Sequence, residues 1–363
     1  MAGRLRAFAR WTGRSLDALA ALAFALAYAA RYVRPGAWTW PLQLAGVLLP
    51  FVTLALGLLL LLRLRTMSPR TRLAYAVMAG LATVRFVPED VPGRLAPSPS
   101  DLTVVTYNLP RWAGPEADAK QRALVAYAAS ARPLVWAFQE PFVAYTAQGD
   151  GVVVSPFLAV LRDSLGYRVG RTAFARSARS AQPVFTAPDV RVVQAEERRF
   201  SPEAGAPPTN YTRVVLRHGG HPAVLYNVHL WTTGRRKPWQ EGVSPRDVRA
   251  WGPFLRQYRD SHLRRAREAD TLAAALARET LPVLVVGDFN ATPHEWAFGR
   301  LARGLDDAGR EGRLGWGATW HRRAPVARID HVLVSPQLRV VEATHPPLDV
   351  SDHKALAVRL RWR

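Results

Sequence analysis

The stretch that decides the fold is LPVLVVGDFNATP, residues 281–293. Four consecutive apolar residues, 283–286, followed by Gly287 predict a buried β-strand that ends at the glycine. Two polar residues, Asp288 and Asn290, follow with one aromatic between them. A buried strand that runs directly into a carboxylate and an amide holds both groups on a rigid element, which indicates a functional site.

Five further strand candidates also carry a carboxylate, an amide or an imidazole at or beside one end. They are TVVTYN with Asn108, LVWAFQE with Gln139 and Glu140, AVLYNVHL with Asn227 and His229, ARIDHVLVS with Asp330 and His331, and VSDHKAL with Ser351, Asp352 and His353. Buried polar groups without partners are costly, so we expect these groups to pair with one another or with a metal. Because strand ends converge in layered αβ folds, all six are predicted to line one cleft.

These donors favour a hard divalent cation. Oxygen ligands from Asp, Glu and Asn suit Mg²⁺, which binds through one or two carboxylates and substrate phosphate. The chain contains no cysteine, so disulfides and thiolate metal sites are excluded. The His-x-x-x-His spacing of helical zinc sites is also absent. With imidazoles nearby, metal-assisted attack of water on a phosphate ester is the reaction class that we expect.

The N-terminal region has the composition of a membrane segment. Residues 41–62 carry no charge and end in LGLLLLL, and at about 1.5 Å per residue they cover a hydrocarbon core of about 30 Å. Residues 16–33 form a weaker, Ala-rich candidate, and residues 73–87 form a short third one that carries Arg85. A cleaved signal peptide is a poorer explanation, because the more apolar segment comes second.

Arginine placement predicts the orientation of these spans. One cluster precedes the first span and another follows the second: Arg4, Arg6, Arg10 and Arg14, then Arg63, Arg65, Arg70 and Arg72. The positive-inside rule places both clusters in the cytoplasm, with Trp38 and Trp40 at the opposite interface. If residues 73–87 also cross, the rest of the chain is extracytoplasmic, which we favour; if they lie on the surface, it is cytoplasmic.

A proline-rich linker, residues 88–100, separates the membrane region, residues 1–87, from residues 101–363. Beyond it, short strand candidates alternate with Ala-rich helical stretches at 116–130 and 254–279. This alternation predicts a single αβ domain with an ample core.

Charge leaves the partner open. The net charge is +21 with only three lysines, which suits nucleic acid or anionic lipid but can equally reflect a GC-rich genome. After His229, the segment WTTGRRKPWQ, residues 231–240, interleaves Arg235, Arg236 and Lys237 with tryptophans. Such a loop could bind a phosphate backbone, lie on lipid headgroups or be an ordinary surface loop.

Taken in order, the motifs TYN, FQE, NVHL, GDFNATP, GATW with RIDHVLVS, and SDHKAL resemble the endonuclease/exonuclease/phosphatase superfamily over residues 101–363. That family includes pancreatic-type deoxyribonucleases, apurinic/apyrimidinic endonucleases, inositol polyphosphate phosphatases and neutral sphingomyelinases, and the N-terminal segment is similar to that of membrane-anchored bacterial members. The resemblance implies an α+β fold, a four-layer α/β/β/α sandwich of two packed mixed β-sheets flanked by helices. The active site is expected where the sheet edges meet.

The resemblance also implies which residues bind the metal. Glu140 is expected to be the principal Mg²⁺ ligand, with Asn108 and Asp352 beside it, and Mn²⁺ is a possible substitute. Gln139 is expected to brace Glu140, and Thr319, in GATW, matches a supporting position.

Five further residues are expected to act on the substrate. By the same resemblance, Asp288 orients or deprotonates the attacking water and Asn290 holds a phosphate oxygen. His353 stabilises the developing phosphoryl charge and pairs with Asp330, a carboxylate that would favour the charged imidazole. His229 is expected to be the second imidazole, at the phosphate or the leaving group.

The chain departs from the family pattern at two positions. Many family nucleases have a serine-arginine pair on a middle strand, where PVFTAPDV has Thr186 and Ala187, so the substrate-reaching arginine is missing. His294 and Glu295 stand where a serine is usual. Both departures concern DNA specificity more than phosphate chemistry.

No carboxylate partner of His229 is evident, although Glu196 and Glu197 are candidates.

The histidines outside the motif roles are expected to be structural. His331 neighbours Asp330 on a strand, so it is predicted to face away from the site. The remaining histidines are predicted to lie at the surface: His218, His221, His262, His321 and His345.

The sequence therefore predicts a multi-pass, membrane-anchored, Mg²⁺-dependent phosphoesterase that cleaves phosphodiesters, with nucleic acid as the first substrate. A lipid-directed phosphodiesterase or phosphatase is the alternative. A non-catalytic, membrane-tethered binding module is disfavoured, because it would have no reason to keep the full set of acids and imidazoles. The expected partners are the bilayer and a phosphate ester.

Overall fold

The computed structural model describes residues 2–87, 96–109, 117–141, 143–145, 152–154, 156–169, 179–180, 182–200, 209–234, 244, 246–310, 317–321 and 326–363. Its helices are α1 (Ala2–Ala29), α2 (Pro41–Arg63), α3 (Pro69–Phe86), α4 (Ala117–Ala131), α5 (Pro156–Leu165), α6 (Val248–Leu276) and α7 (Trp296–Leu301). The first eight strands are β1 (Leu102–Asn108), β2 (Val135–Gln139), β3 (Val143–Tyr145), β4 (Val152–Val154), β5 (Arg168–Val169), β6 (Arg179–Ser180), β7 (Val184–Thr186) and β8 (Arg191–Arg199). The others are β9 (Asn210–His218), β10 (His221–His229), β11 (Val283–Asp288), β12 (Asp306–Asp307), β13 (Asp330–Val334), β14 (Leu338–Thr344) and β15 (Leu356–Trp362).

Two six-stranded mixed sheets form the centre of the C-terminal region. The first has the order β14-β15-β1-β2-β7-β5 and the second the order β12-β13-β11-β10-β9-β8. Each sheet has one parallel pair at its middle, β1 with β2 and β10 with β11, and antiparallel neighbours around it. A smaller sheet has the order β4-β3-β6. The parallel pairs bring four strand ends to one edge of the sandwich.

The apolar alternation along the strands explains the layers. In β10, Ala223 and Leu225 face the core between the sheets, whereas Val224, Tyr226 and Val228 pack against α6 and α7. The outer face of β1 and β2 packs in the same way against α4 and α5. The predicted four-layer sandwich of two packed sheets flanked by helices is confirmed.

The N-terminal helices pack into a bundle. α1 and α2 are antiparallel, since Arg63 near the end of α2 forms an ion pair with Asp17 of α1. α3 runs parallel to α1, since Tyr75 donates to Asp17 over 3.2 Å while Arg85 stacks on Tyr28 with 4.6 Å to the ring centroid. The α1–α2 turn and the end of α3 therefore lie at the same end of the bundle.

One of the described helices, α2, is long and apolar enough to cross a membrane by length and composition. The other two predicted spans fall on α1 and α3, which do not meet that criterion. α1 also ends at Ala29, so the predicted span at 16–33 runs past the end of its helix. The predicted linker, residues 88–100, falls mostly outside the described residues.

Candidate active site

The site is built around the end of β11. The strand runs one residue further than the sequence predicted, through Asp288, which is 2% exposed. Gly287 has φ +133°, and a Cβ there would lie 2.0 Å from the carbonyl oxygen of Val228. Only glycine can bring β11 this close to β10, and in the register of these strands Asp288 stands between His229 and Asp330.

The Asp288 carboxylate is the centre of a polar cluster. Its Oδ2 accepts hydrogen bonds from Nδ2 of Asn108 at 2.9 Å and from Nδ2 of Asn290 at 3.3 Å. Nε2 of His229 lies 3.6 Å from the same oxygen, and Nε2 of His353 lies 4.0 Å from it. The structure thus brings together two amides and two imidazoles that come from four different segments of the chain.

Asn290 has a strained backbone, with φ +47°. Its amide N–H donates to Oδ1 of Asp288 over 2.8 Å, and its Nδ2 donates to the carbonyl of Leu230 over 2.9 Å. These bonds hold the loop after β11 against the segment that follows β10.

Asp330 and His353 form a buried ion pair. Nδ1 of His353 lies 2.9 and 3.1 Å from the two carboxylate oxygens of Asp330, and the residues are 6% and 1% exposed. Burial lowers the pKa of His353, but the Asp330 carboxylate, with further acids nearby, outweighs burial and raises that pKa to about 10. At neutral pH the structure therefore holds an imidazolium whose Nε2 faces Asp288.

Glu140 is the more accessible acid of the site. It directly follows β2 with φ +60°, and its side chain is 48% exposed. Its Oε1 accepts from Nδ2 of Asn108 over 3.3 Å and lies 3.6 Å from Nε2 of His229. A solvent-facing carboxylate beside a buried one can receive a cation from solution.

Gln139 and Thr319 stabilise the backbone around the acids of the site. Gln139 is fully buried, and its Nε2 donates to Thr106 over 3.1 Å and to Oδ1 of Asn227 over 2.6 Å, a bond that joins the two sheets. The hydroxyl of Thr319 accepts from the N–H groups of Ile329 and Asp330 over 3.1 and 3.2 Å. Each fixes the backbone that carries an acid of the site.

Asp352 lies at the rim. It adjoins His353 in the chain, but it is exposed, and its Oδ2 accepts from Nε1 of Trp320 over 3.3 Å. Ser351 beside it is buried; its hydroxyl donates to the carbonyl of Asn108 over 2.7 Å and accepts from the N–H of His353 over 3.1 Å. Ser351 therefore ties the His353 loop to the end of β1.

The donor set fits a divalent metal. Among the described residues, ligand atoms of Asp288, Asp330 and His353 lie within 4.8 Å of one another, but a charged His353 paired with Asp330 has no lone pair for a metal. Glu140 adds an accessible carboxylate, and the amide of Asn108, whose Nδ2 faces Glu140 and Asp288, would have to turn over to offer its oxygen; carboxylate-rich sites suit Mg²⁺ or Mn²⁺.

The structure corrects the expected partner of His229. Glu197 accepts from Asn210, and Glu196 pairs with Arg198 and Arg213, so both acids are engaged away from the site. The acids near His229 are instead Glu140 and Asp288. Sequence spacing had no signal for this, because the Glu140 contact joins the two sheets and the Asp288 contact depends on the pairing of β10 with β11.

Of two predictions about the other histidines, one is confirmed and one is wrong. His331 is buried between Phe289 and Phe298 and faces away from the site, as predicted. His262 is not at the surface: it is 3% exposed, with Nδ1 3.4 Å from Glu295, and burial holds its pKa well below the usual range. His218 is also buried.

The basic loop predicted after His229 lies largely outside the described residues, because Arg235, Arg236 and Lys237 fall there. Its start is described: the guanidinium of Arg264 stacks on Trp231, 3.5 Å from the ring centroid.

Two packed sheets with acids and imidazoles gathered at their shared edge define a hydrolase of phosphate esters. The sequence matches the model of the Endonuclease/Exonuclease/phosphatase family over residues 105–353. The chain belongs to that family, whose members are phosphodiesterases and phosphatases that generally depend on a divalent metal.

Solved structures share the fold at low sequence identity. A family protein from Leptotrichia buccalis is 16% identical, with a TM-score of 0.51 over 72% of this chain and 100% of its own. TDP2 of D. rerio, complexed with single-strand DNA product, is 15% identical, with a TM-score of 0.50 over 72% and 99% of the two chains. The human Nocturnin catalytic domain with bound sulfate is 15% identical, with a TM-score of 0.50 over 75% and 97%. No curated protein matches the sequence significantly.

Proposed function

We propose that this protein is a membrane-anchored, Mg²⁺-dependent phosphoesterase that hydrolyses phosphodiester bonds. The observation that carries the proposal is the surroundings of Asp288: a buried carboxylate with an amide hydrogen bond at 2.9 Å and imidazoles at 3.6 and 4.0 Å. A carboxylate, amides and an imidazolium held on rigid strand ends are suited to position water against a phosphate and to stabilise the charge that develops there.

In this proposal Glu140, Asn108 and Asp352 hold the metal. Glu140 is accessible, and its Oε1 is 3.3 Å from Asn108. Bound Mg²⁺, or Mn²⁺ in its place, would supply positive charge that polarises the phosphate.

The remaining residues act on the substrate and the water. Asp288 orients the attacking water and accepts its proton at Oδ2, and Asn290 holds a phosphate oxygen with the N–H group that otherwise donates to Asp288 over 3.3 Å. His353, kept charged by Asp330, donates to the phosphoryl group through Nε2, and His229 meets the phosphate or the leaving group. These roles follow general acid–base and electrostatic catalysis, which require the groups within hydrogen-bond reach of the reacting atoms.

We further propose that all three N-terminal helices cross the bilayer. Large apolar side chains of the bundle are exposed, as expected for contact with lipid; they include Leu19, Leu22, Leu54, Leu58, Leu61, Leu62, Leu73, Val77 and Val84. Arg14, Arg65 and Arg72 are exposed at the end of the bundle away from the catalytic region. The positive-inside rule would then make the catalytic region extracytoplasmic.

A reporter enzyme fused after residue 94 tests this topology. Alkaline phosphatase, which folds outside the cytoplasm, is expected to be active at this position, and a fusion after residue 66 is expected to be inactive. Cytoplasmic location of the first fusion would refute crossing by α3.

Nucleic acid is the first proposed substrate. The net charge of +21 supports contact with phosphates. Trp231, two residues beyond His229, stacks with Arg264 of α6 and supports contact with bases.

A phosphoester carried by a lipid is the second candidate, because the segment after β11 contacts the helices that we propose to cross the bilayer. The carbonyl of Pro293 accepts a hydrogen bond from Arg31 at the end of the first predicted span. Pro293 stands five positions after Asp288, and at about 3.5 Å per residue Asp288 lies within about 18 Å of that contact.

A substrate panel decides between these candidates. Purified full-length protein in detergent micelles is incubated with single- and double-stranded DNA, RNA, sphingomyelin and phosphoinositides, with Mg²⁺ or with EDTA. Mg²⁺-dependent cleavage of a nucleic acid supports the first candidate, and cleavage confined to the lipids supports the second. Failure to cleave any phosphoester with Mg²⁺ or Mn²⁺ would refute the proposed function.

A further inference from the structure

One amide in the membrane region makes contact with the catalytic region. Gln43, near the start of α2, is 1% exposed. Its Nε2 donates to the carbonyls of Ala30 and Val33, both over 3.1 Å. Its Oε1 accepts from the backbone N–H of Trp296, the first residue of α7, over 2.9 Å. Both polar side-chain atoms of this glutamine, which lies in an otherwise apolar segment, therefore form hydrogen bonds. One of these bonds reaches the catalytic region.

Two further contacts hold the same backbone. Gly46, one turn beyond Gln43, lies so close to the catalytic region that a Cβ on it would be 2.8 Å from the carbonyl oxygen of His294. Arg31 donates to the carbonyl of Pro293 over 2.6 Å. Backbone atoms of Pro293, His294 and Trp296 are therefore all contacted by the α1–α2 turn or by the first turns of α2.

Pro293, His294 and Trp296 lie at the C-terminal end of residues 288–296, a segment that we call the catalytic loop. At the near end, Asp288 is held by β11. Asn290 between them keeps a positive φ of +47°, and bonds from its own N–H to Asp288 and from its Nδ2 to the carbonyl of Leu230 hold it there. The loop is fixed by the sheet at one end and by the membrane region at the other.

A buried polar network links the catalytic loop to the segment that follows β10. Glu295, 2% exposed, accepts from the N–H of Thr292 over 2.6 Å and lies 3.4 Å from Nδ1 of His262 and 3.8 Å from Arg265. Arg265 in turn donates to the carbonyl of Trp231 over 2.9 Å. The residues after β10 and those after β11 are thereby linked through Arg265 of α6.

We infer that Gln43 is a positioning residue: through Trp296 it sets the conformation of the catalytic loop, so the membrane region is part of the catalytic apparatus and not only an anchor. The part of this inference that concerns rate rests on the proposed function. The part that concerns loop conformation rests on the contacts alone, which allows the two to be tested separately.

Two substitutions break the contact by different routes. Gln43→Leu removes the acceptor for Trp296 together with the donor to Ala30 and Val33. Gly46→Ala adds a methyl group against the carbonyl oxygen of His294, 2.8 Å away, and also against the Cβ of Ala30, 2.7 Å away, so its folding is checked by thermal unfolding before its kcat is compared. Two matched controls lie on the same helix: Thr53→Val, whose hydroxyl bonds within α2 to Leu49, and Gly57→Ala, whose Cβ would meet nothing within 4 Å.

The first measurement is steady-state hydrolysis of bis(p-nitrophenyl) phosphate with Mg²⁺ by each full-length variant in detergent micelles. Misplaced reacting groups lower the rate even when the substrate still binds, so Gln43→Leu and Gly46→Ala are expected to lower kcat by roughly tenfold or more with little change in KM. Both controls are expected to match the wild type. Wild-type kcat in folded Gln43→Leu and Gly46→Ala would overturn the inference.

The second measurement is amide hydrogen exchange, which needs no activity. In Gln43→Leu the amides of Asn290, Thr292 and Trp296 are expected to exchange faster than in the wild type, while those of β10 stay protected. Faster exchange at Trp296 alone, with Asn290 and Thr292 unchanged, would show a local contact without positioning and would refute the inference. If the wild type hydrolyses no phosphodiester, the proposed function fails while exchange still decides the positioning.

Discussion

Replacing Asp330 with asparagine removes the charge that keeps His353 protonated. Asparagine has nearly the same size and can still accept a hydrogen bond from Nδ1, so the geometry of the pair at 2.9 Å is preserved. Burial lowers the pKa of His353, and the Asp330 carboxylate is the largest of the influences that raise it to about 10. Asp330→Asn therefore tests whether catalysis uses the charged imidazole.

The magnitude follows from the pKa. With the pKa near 10, His353 is almost fully protonated at pH 7.5. Without Asp330 its pKa can be taken as the ordinary value of about 6.5 or lower, so only about a tenth of the molecules carry the charge at about pH 7.5. We expect kcat to fall at least about tenfold at that pH and to recover as the pH falls towards about 6.

The same pair makes stability depend on pH. Because the folded pKa of His353 lies above the unfolded one, the pair stabilises the folded state fully below about pH 6.5, and the contribution is lost as pH rises through about 10. In Asp330→Asn this loss of stability between those values should disappear.

The assay is kcat for bis(p-nitrophenyl) phosphate as a function of pH, with saturating Mg²⁺ and full-length protein. Asp260→Asn is the matched control, since that carboxylate is 61% exposed on α6. A flat pH profile of wild-type height for Asp330→Asn would refute the role of the imidazolium. A selective loss of Mg²⁺ affinity would instead make Asp330 a metal ligand.

Two other predictions concern the metal and the fold. Glu140→Gln should abolish Mg²⁺-dependent hydrolysis without lowering Tm, since its side chain is half exposed; Glu342→Gln is the control, and retained activity would exclude Glu140 as principal ligand. Gly287→Ala should destabilise the protein by about 3 kcal/mol or more, through steric overlap and strain, because its Cβ would lie 2.0 Å from Val228 at φ +133°. Gly304→Ala is the control, at φ +72° with open space around it, and should lower the free energy of unfolding by only about 1–2 kcal/mol. Thermal unfolding compares the two variants. Equal losses of stability would contradict the steric argument.

Local pattern was sufficient for the elements that carry the site. The apolar runs before Asn108, Gln139, His229 and Asp288 are strands, as their composition predicts, and each ends where its polar residue begins. The limits of helices were less certain: α6 begins at Val248, six residues before the predicted start, because its first turns are fixed by a cap at Asp247 and not by apolar periodicity.

The sequence by itself determined the strands that carry the site and which acids, amides and imidazoles stand at their ends, because strand formation and polar termination are encoded by neighbours in the chain; other strands, such as β8 and β14, it did not predict. Only the tertiary structure decided which of these groups meet. His353 reaches Asp330 because β15 lies beside β1 in one sheet while β13 lies beside β11 in the other. Gln43 reaches Trp296, 253 residues away, by the docking of a helix. Such contacts depend on strand order and packing between layers, which a local pattern does not contain.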